Sequence, residues 1–264
     1  MRITYIGHAT LLIELAGRRI LTDPNYDTTL GRFLPRVSAP GIALDELPTL
    51  DAILLTHAHA DHLSFATLDR LPKTLPLFAP PAVAQWLAKL GYAHAIPFPA
   101  GDRVTIGDVT VHAGSATHNG SRYSVDRWRS AANMYLLDGG GRESCFFAGD
   151  TALTPHCQRL VEDAIVRGQR QLDVALLPIG HAPWWKPGFR RGHLTSADAL
   201  HLFERLGARY FIPYHWGTFH HVTARAHDAV DRLRSLLPEF TRRDDVRILE
   251  PGEMLDYSPS PSPT

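Results

Sequence analysis

Short apolar runs bounded by turn residues recur along the whole chain, and most are too short to be helices. The runs at 2–6, 10–15 and 18–22 are separated by turns that contain Gly7 and Gly17, so they predict three antiparallel strands. Later runs predict the remaining strands, at 52–55, 75–79, 95–98, 104–106, 109–113, 133–137, 144–148, 174–177, 209–214 and 246–249.

Helical segments fall between these strands. Ser64 is a suitable N-cap for a helix that carries Phe65 and Leu68 and ends before Pro72. Further helices are predicted at 81–90, 155–167, 196–206 and 223–237. This alternation of strands and helices indicates an α/β fold.

The segment 25–47 shows no sustained period, and the strand before it ends at Asp23 and Pro24. A loop of this length is uncommon in a compact domain unless it covers a site. We therefore expect either a wall or lid over functional residues or a surface loop without such a role. Residues 1–257 are expected to form the domain, and the Pro/Ser-rich tail 258–264 is expected to be disordered because it has nothing to bury.

Composition excludes several classes of function. Lys+Arg and Asp+Glu both count 27, so no global field favours nucleic acid or an anionic membrane. No run reaches the roughly 18 apolar residues of a transmembrane helix, and the N-terminus lacks the apolar core of a signal peptide. The two cysteines, Cys145 and Cys157, suit reduced thiols better than a disulfide framework. These features predict a cytoplasmic protein.

Candidate chemistry concentrates in the segment 56–62, directly after the run 52–55. Its sequence, THAHADH, holds His57, His59, Asp61 and His62 within six residues. On an extended backbone, the spacing of His57 and His59 puts both imidazoles on one side, and strand ends are where open sheets place chemistry. A chance cluster is the alternative, because the chain has 15 histidines. Four ligands at one strand exit favour metal binding.

Three further predicted strands also end in potential ligands, His118, Asp150 and His215. We therefore expect one edge of a sheet to gather all seven side chains. Imidazole nitrogen and carboxylate oxygen suit Zn²⁺, and Mn²⁺ and Fe²⁺ accept the same donors. A structural role for Asp150 stays open, because its carboxylate can cap a segment that begins near Thr151.

These residues resemble the metallo-β-lactamase superfamily. The H-x-H-x-D-H pattern of 57–62, the GDT sequence of 149–151 and the YHWGTF sequence of 214–219 match it. With further matches at 7–10, 21–24 and 117–122, the chain is most similar to the branch that contains N-acyl phosphatidylethanolamine phospholipase D and, more distantly, ascorbate-6-phosphate lactonase.

The resemblance implies a four-layer αββα sandwich with a two-metal site on one edge. In that arrangement one ion is held by His57, His59 and His118, the other by Asp61, His62 and His215, and Asp150 bridges the two. The resemblance also implies catalytic roles for Asp61 and for His193, although a histidine that enters a helix can be purely structural. His8 and Asp23 are expected to support the ligands rather than bind metal.

Substrate contacts are expected from Arg122, Trp184, Trp185 and Trp216, which lie in loops near the strand ends and suit an amphipathic phosphate-bearing substrate. The alternative is that such aromatics only pack loops. With Asp61, Asp150 and one hydroxide, two divalent ions keep about one net positive charge, which favours an anionic phosphodiester.

The sequence therefore favours a binuclear metal-dependent phosphodiesterase in which a metal-bridging hydroxide attacks and His193 assists the leaving group. A lactonase or other carboxylic-ester hydrolase of the same fold is the alternative, and a non-catalytic metal-binding sensor is a remoter one. Residues 131–133 replace a Trp/Gly-rich segment of the phospholipases. We therefore expect a small-molecule anionic ester or phosphodiester rather than a membrane lipid.

Overall fold

The computed structural model describes residues 1–31, 33–122, 131–180, 188–220 and 224–258. In the first part of the chain its strands are β1 Arg2–Gly7, β2 Thr10–Leu15, β3 Arg18–Thr22, β4 Thr29–Leu30, β5 Leu34–Pro35, β6 Ala52–Leu54, β7 Leu77–Ala79 and β8 Ala95–Pro97. In the second part they are β9 Arg103–Ile106, β10 Val109–Ser115, β11 Asn133–Gly139, β12 Glu143–Phe147, β13 Val174–Pro178, β14 Tyr210–Tyr214 and β15 Met254–Asp256. The α-helices are α1 Phe65–Arg70, α2 Pro81–Lys89, α3 Pro155–Ala164, α4 Ser196–Leu206 and α5 Asp228–Leu236.

Two mixed sheets carry the fold. The first has seven strands in the order β15-β1-β2-β3-β6-β7-β8, and the second has six in the order β14-β13-β12-β11-β10-β9. From β3 to β8 the first sheet is parallel, and β12, β13 and β14 are parallel in the second. The carboxyl ends of β12, β13 and β14 therefore lie next to one another at the same edge of their sheet.

The alternation of side chains along each strand explains the layers. In β2, Leu11 and Ile13 belong to the core between the sheets, whereas Leu12 packs in a second core under α1 and α2. On the other side, α3 packs against β10 and β11, and α4 packs against β13. The order of layers is helix, sheet, sheet, helix, so the prediction of a four-layer αββα sandwich is confirmed.

The predicted N-cap of α1 is also confirmed. The Ser64 hydroxyl accepts a hydrogen bond from the Thr67 N–H at the start of α1. Thr195 and Asp198 form a reciprocal capping box at the start of α4, and Gly207 ends that helix with φ of 62°.

Two predictions near the C-terminus are wrong. Helix α5 begins at Asp228 rather than at residue 223, because the carbonyl of Ala226 accepts a hydrogen bond from Gly217 N–H in a loop contact. The run 246–249 is not a strand: Val246 makes only an isolated bridge to Phe211, and its apolar character reflects burial in the core. The strand that sequence analysis missed is β15, an edge strand paired with β1.

The long loop 25–47 contains a small ribbon of β4 and β5 and a 3₁₀ turn at Leu44–Glu46. Of the tail expected to be disordered, residues 259–264 lie outside the described residues. Among the described helices, none is both long enough and apolar enough to cross a bilayer.

Candidate metal centre

All seven candidate ligands lie at one edge of the sandwich, but they come from both sheets rather than from one as expected. His57, His59, Asp61 and His62 follow β6 of the first sheet. From the second sheet, His118 follows β10, Asp150 follows β12 and His215 follows β14. Because the two sheets pack face to face, their strand exits meet at a shared edge.

The ligand atoms form two groups. One group contains His57, His59, His118 and Asp150, the other contains His8, Asp61, His62 and His215, and within each group the atoms lie within 4.8 Å of one another. Asp150 also reaches the second group, because its Oδ2 lies 3.4 Å from His62 Nε2 and 3.3 Å from His215 Nε2. The carboxylate of Asp150 therefore lies between the two groups.

His8 was not among the ligands predicted from sequence, yet it lies with the second group. Its Nε2 is 3.0 Å from Asp61 Oδ2, and its ring centroid is 3.9 Å from that of His215. The sequence signal that could have indicated this position is that His8 comes directly after β1, in the segment 7–10 that matches the superfamily.

Hydrogen bonds from the protein orient three imidazoles through Nδ1. His57 Nδ1 lies 2.9 Å from the Thr56 hydroxyl, and His118 Nδ1 lies 2.8 Å from the Gly192 carbonyl. His62 Nδ1 lies 2.7 Å from the buried carboxylate of Asp23. With Nδ1 engaged, each ring directs Nε2 at the centre, which is the arrangement that second-sphere partners impose on metal-binding histidines.

The backbone of the segment 56–62 and the residues next to it is held from two sides. Asn25 Nδ2 donates to the Ala60 carbonyl at 2.7 Å, and Arg122 Nη1 donates to the Leu63 carbonyl at 2.6 Å. The Arg122 guanidinium also lies over the Phe65 ring, 5.2 Å from its centroid. Arg122, which was expected to contact substrate, thus contacts the backbone next to the segment 56–62. It is not among the residues that line the cavity beside the site.

Three residues at strand exits have left-handed backbones although none is glycine. The φ values are 55° for His8, 35° for Asp23 and 68° for His215. Each such conformation costs on the order of 1 kcal/mol and persists only where surrounding contacts enforce it. The fold accepts this strain where it directs His8 and His215 at the centre and Asp23 at His62 Nδ1.

Burial and neighbouring charges shift the pKa values of the histidines in different directions. Burial lowers the pKa of His118 to about 3 and that of His8 to about 4, so both imidazoles are neutral at pH 7. Burial also acts to lower the pKa of His215, but the Asp150 carboxylate outweighs it and raises this pKa to about 9. Burial opposes ionisation of Asp150, yet His215 and His62 hold its pKa well below the usual range. The carboxylate of Asp150 is therefore anionic.

The donor set fits divalent cations. Among the described residues, buried atoms without a hydrogen-bond partner include both carboxylate oxygens of Asp150, Nε2 of His57 and His62, and both ring nitrogens of His215. Buried polar atoms without partners are costly, and a cation would satisfy all of these except the second nitrogen of His215. Histidine nitrogen with carboxylate oxygen is a typical donor set for Zn²⁺.

The capping alternative for Asp150 has no support in the contacts. The N-cap of α3 is Thr154, and among the described residues neither Asp150 oxygen has a hydrogen-bond partner. Histidine nitrogens within 4.0 Å of its Oδ2 belong to His62, His118, His193 and His215.

His193 lies beside this centre, with Nε2 3.4 Å from Asp150 Oδ2 and its ring 4.8 Å from that of His118. His193 lies two residues before Thr195, the N-cap of α4, so the start of this helix fixes the position of the His193 side chain beside Asp150. Trp216 is buried and lines the cavity described next. Trp184 and Trp185 lie outside the described residues.

A cavity of about 680 Å³ opens from the centre and is lined at that end by His8, Asp61 and His215. The β4–β5 ribbon contributes Leu30 and Leu34 to its wall. The long loop expected either to cover the site or to lie on the surface therefore forms part of a wall.

Comparisons with known proteins agree with this geometry. Residues 18–216 match the family model of the β-lactamase superfamily domain. A metal-dependent hydrolase of Opitutus terrae is 31% identical over 97% of this chain and 100% of its own length. N-acyl-phosphatidylethanolamine-hydrolyzing phospholipase D 1 of Caenorhabditis elegans is 24% identical over 92% of this chain and 71% of its own length.

Among solved structures, isothiocyanate hydrolase from Delia radicum gut bacteria superposes with a TM-score of 0.78 at 20% identity, covering 98% of this chain and 100% of that one. The family model over residues 18–216 and the 31% identical relative show that the chain belongs to the metallo-β-lactamase superfamily. Within it, the chain is a hydrolase, as the resemblance of segments 57–62, 149–151 and 214–219 had implied.

Proposed function

We propose that the chain is a binuclear metal-dependent hydrolase that cleaves a phosphodiester bond in a small anionic substrate. The observation that carries this proposal is the position of Asp150 between two groups of buried ligand atoms. One group would consist of His57, His59 and His118, the other of Asp61, His62 and His215, with Asp150 shared. The metal-dependent hydrolase of Opitutus terrae supports the metal requirement.

Two divalent ions, most simply Zn²⁺, supply an activated water and stabilise developing negative charge when bound. The chain's own residues supply position and proton transfer. His193 is partly exposed, with 18% of its side chain accessible, and lies beside Asp150, so it can donate a proton to a leaving oxygen. Asp61 is held by His8 at 3.0 Å, which orients its carboxylate in the cavity lining.

The preference for a phosphodiester rests on charge and on a relative. Two cations balanced by Asp61, Asp150 and one hydroxide leave about one net positive charge, which favours an anionic ester over a neutral one. The Caenorhabditis elegans relative is by name a phospholipase D, an enzyme of phosphodiester hydrolysis. The buried free thiols of Cys145 and Cys157 agree with a cytoplasmic location for the proposed enzyme.

The test compares bis(4-nitrophenyl) phosphate with a panel of lactones and carboxylic esters on protein of measured metal content. We expect two ions per chain and a higher kcat/KM on the diester. Lactone turnover a hundredfold above diester turnover would assign the chain to the lactonase alternative. Two bound ions without hydrolysis of any substrate would favour the sensor.

A leaving-group comparison tests His193. Nitrophenolate leaves without a proton whereas an alkoxide does not, so His193→Gln should slow an alkyl-leaving diester by about 10²- to 10⁴-fold and a nitrophenyl diester much less. His201→Gln is the matched control, because His201 lies exposed on α4. Equal losses on both diesters would show that His193 has a structural role.

A further inference from the structure

The cavity beside the candidate metal centre has lining residues of three kinds. His215 and Asp61 belong to the candidate centre, and Leu34 and Phe219 add apolar surface. Helix α5 contributes Arg232, and the turn before it contributes Arg225. A ligand that fills this cavity would meet polar groups of the candidate centre, apolar side chains and guanidinium groups.

Arg225 and Arg232 differ from the third arginine in the cavity wall. Arg190 is paired with Asp198, at 3.2 Å. Neither Arg225 nor Arg232 has a carboxylate within 4.0 Å of its guanidinium among the described residues. Within the described part of the chain, the one hydrogen bond of the Arg232 guanidinium goes to the neutral Ser235 hydroxyl, at 3.4 Å.

The nearest acidic group in this wall does not cancel both charges. Asp228 lines the same wall, and its Oδ2 accepts a hydrogen bond from the Arg225 backbone N–H at 2.9 Å. Together Arg225, Arg232 and Asp228 leave one net positive charge. The helix itself is anchored, because Val230 and Leu233 are buried in the core and the Ala229 carbonyl accepts from the Ser196 hydroxyl.

We propose that Arg225 and Arg232 bind a second anionic group of the substrate, a carboxylate or phosphate joined to the scissile ester by an apolar spacer. This inference rests on the proposed function for the location of the reacting bond. Guanidinium groups bind planar anions through paired N–H donors, and a cavity of about 680 Å³ accommodates a molecule of this kind.

Binding of substrate-like probes tests the proposal without requiring turnover. The probes are alkylphosphonates of increasing chain length, each paired with the ω-carboxyalkylphosphonate of the same length. A parallel pair of series carries a hydroxamate in place of the phosphonate. Isothermal titration calorimetry on the metal-loaded protein gives the ratio of the two dissociation constants at each chain length.

We expect the terminal carboxylate to tighten binding by about tenfold at the chain lengths that span the cavity, since a charge-assisted hydrogen bond contributes on that scale. The double variant Arg225→Gln/Arg232→Gln should abolish this gain. The control Arg159→Gln should retain it, because Arg159 is exposed on α3 and does not line the cavity.

The proposal is overturned if no carboxylated probe of either series binds more tightly than its partner, or if the double variant keeps the gain. A hydroxamate series that shows the gain while phosphonates do not bind would support the arginine site and count against the phosphodiesterase assignment. The two proposals can therefore fail separately.

Discussion

Asp150 lies among four histidine nitrogens, so the effect of changing it should extend to both groups of ligands. If Asp150 bridges two ions, Asp150→Asn removes a charge that both share, and metal content after dialysis should fall toward zero. His118→Ala should weaken mainly one site, leaving about one ion per chain. Two retained ions with near-normal turnover in Asp150→Asn would show that the bridging role is wrong.

Asp23 acts through a neighbour rather than on the centre itself. Its carboxylate accepts hydrogen bonds from the Thr56 N–H at 2.7 Å and the Thr56 hydroxyl at 2.6 Å, and it holds His62 Nδ1. In Asp23→Asn an amide N–H can face His62 and favour the tautomer that protonates Nε2. We expect about 10- to 100-fold weaker metal binding at the site that contains His62.

Competition with a chelating dye measures that loss one site at a time. Asp27→Asn is a suitable control, because Asp27 lies in the same loop but accepts from the Ser64 hydroxyl at 2.6 Å. Equal metal affinities in Asp23→Asn and Asp27→Asn would mean that Asp23 only holds the loop in place and does not set the tautomer of His62.

At the scale of elements, neighbouring parallel strands bring their exit loops into close contact. β13 pairs with β14, and Gly180 follows β13 where His215 follows β14. A Cβ atom at Gly180 would lie 2.0 Å from His215 Nδ1, so only glycine fits this position. Gly180→Ala should displace His215 and lower activity by about a hundredfold, as expected for a catalytic-site displacement near 1 Å.

Gly168→Ala provides the comparison for that change, because an added Cβ there meets no atom within 4 Å. Steady-state kinetics and metal analysis of the two variants separate a local displacement from a general effect of alanine. Unchanged activity in Gly180→Ala would show that the loop moves freely and that His215 does not depend on it.

At the scale of the whole molecule, a buried polar cluster lies at the far end of β13 from the candidate metal centre. Asp173 accepts hydrogen bonds from Ser144 N–H at 2.8 Å and from the Tyr257 hydroxyl, and it pairs with Arg209 at 3.3 Å. It thus joins β12, the start of β13 and the chain segment after β15. These contacts stabilise the fold without touching the site.

Asp173→Ala leaves the Ser144 N–H and the Tyr257 hydroxyl unpaired in the interior and should lower the free energy of unfolding by about 3 kcal/mol. Tyr257→Phe removes a single hydrogen bond and should cost about 1 kcal/mol. Urea unfolding measures both changes, and metal content of the folded protein should stay constant. Loss of metal in proportion to stability would contradict the separation of cluster and site.

Much of this organisation was predictable because it is local. The apolar run 52–55 followed by THAHADH marks both a buried strand and a donor-rich exit, and the capping residue Ser64 marks a helix start. Edge strand β15 escaped prediction because Met254 and Asp256 are exposed and leave no apolar period. The run 246–249 misled because burial and strand pairing produce the same apolar signal.

The sequence by itself determined which residues can bind metal and at which strand exits they lie, since donor chemistry and strand length are properties of short segments. Only the tertiary structure decided that the exits come from two sheets, that His8 joins the second group, that Arg122 holds a backbone loop, and that Arg225 and Arg232 line the cavity. These facts depend on face-to-face packing between segments up to about 200 residues apart, and no local period encodes such distances.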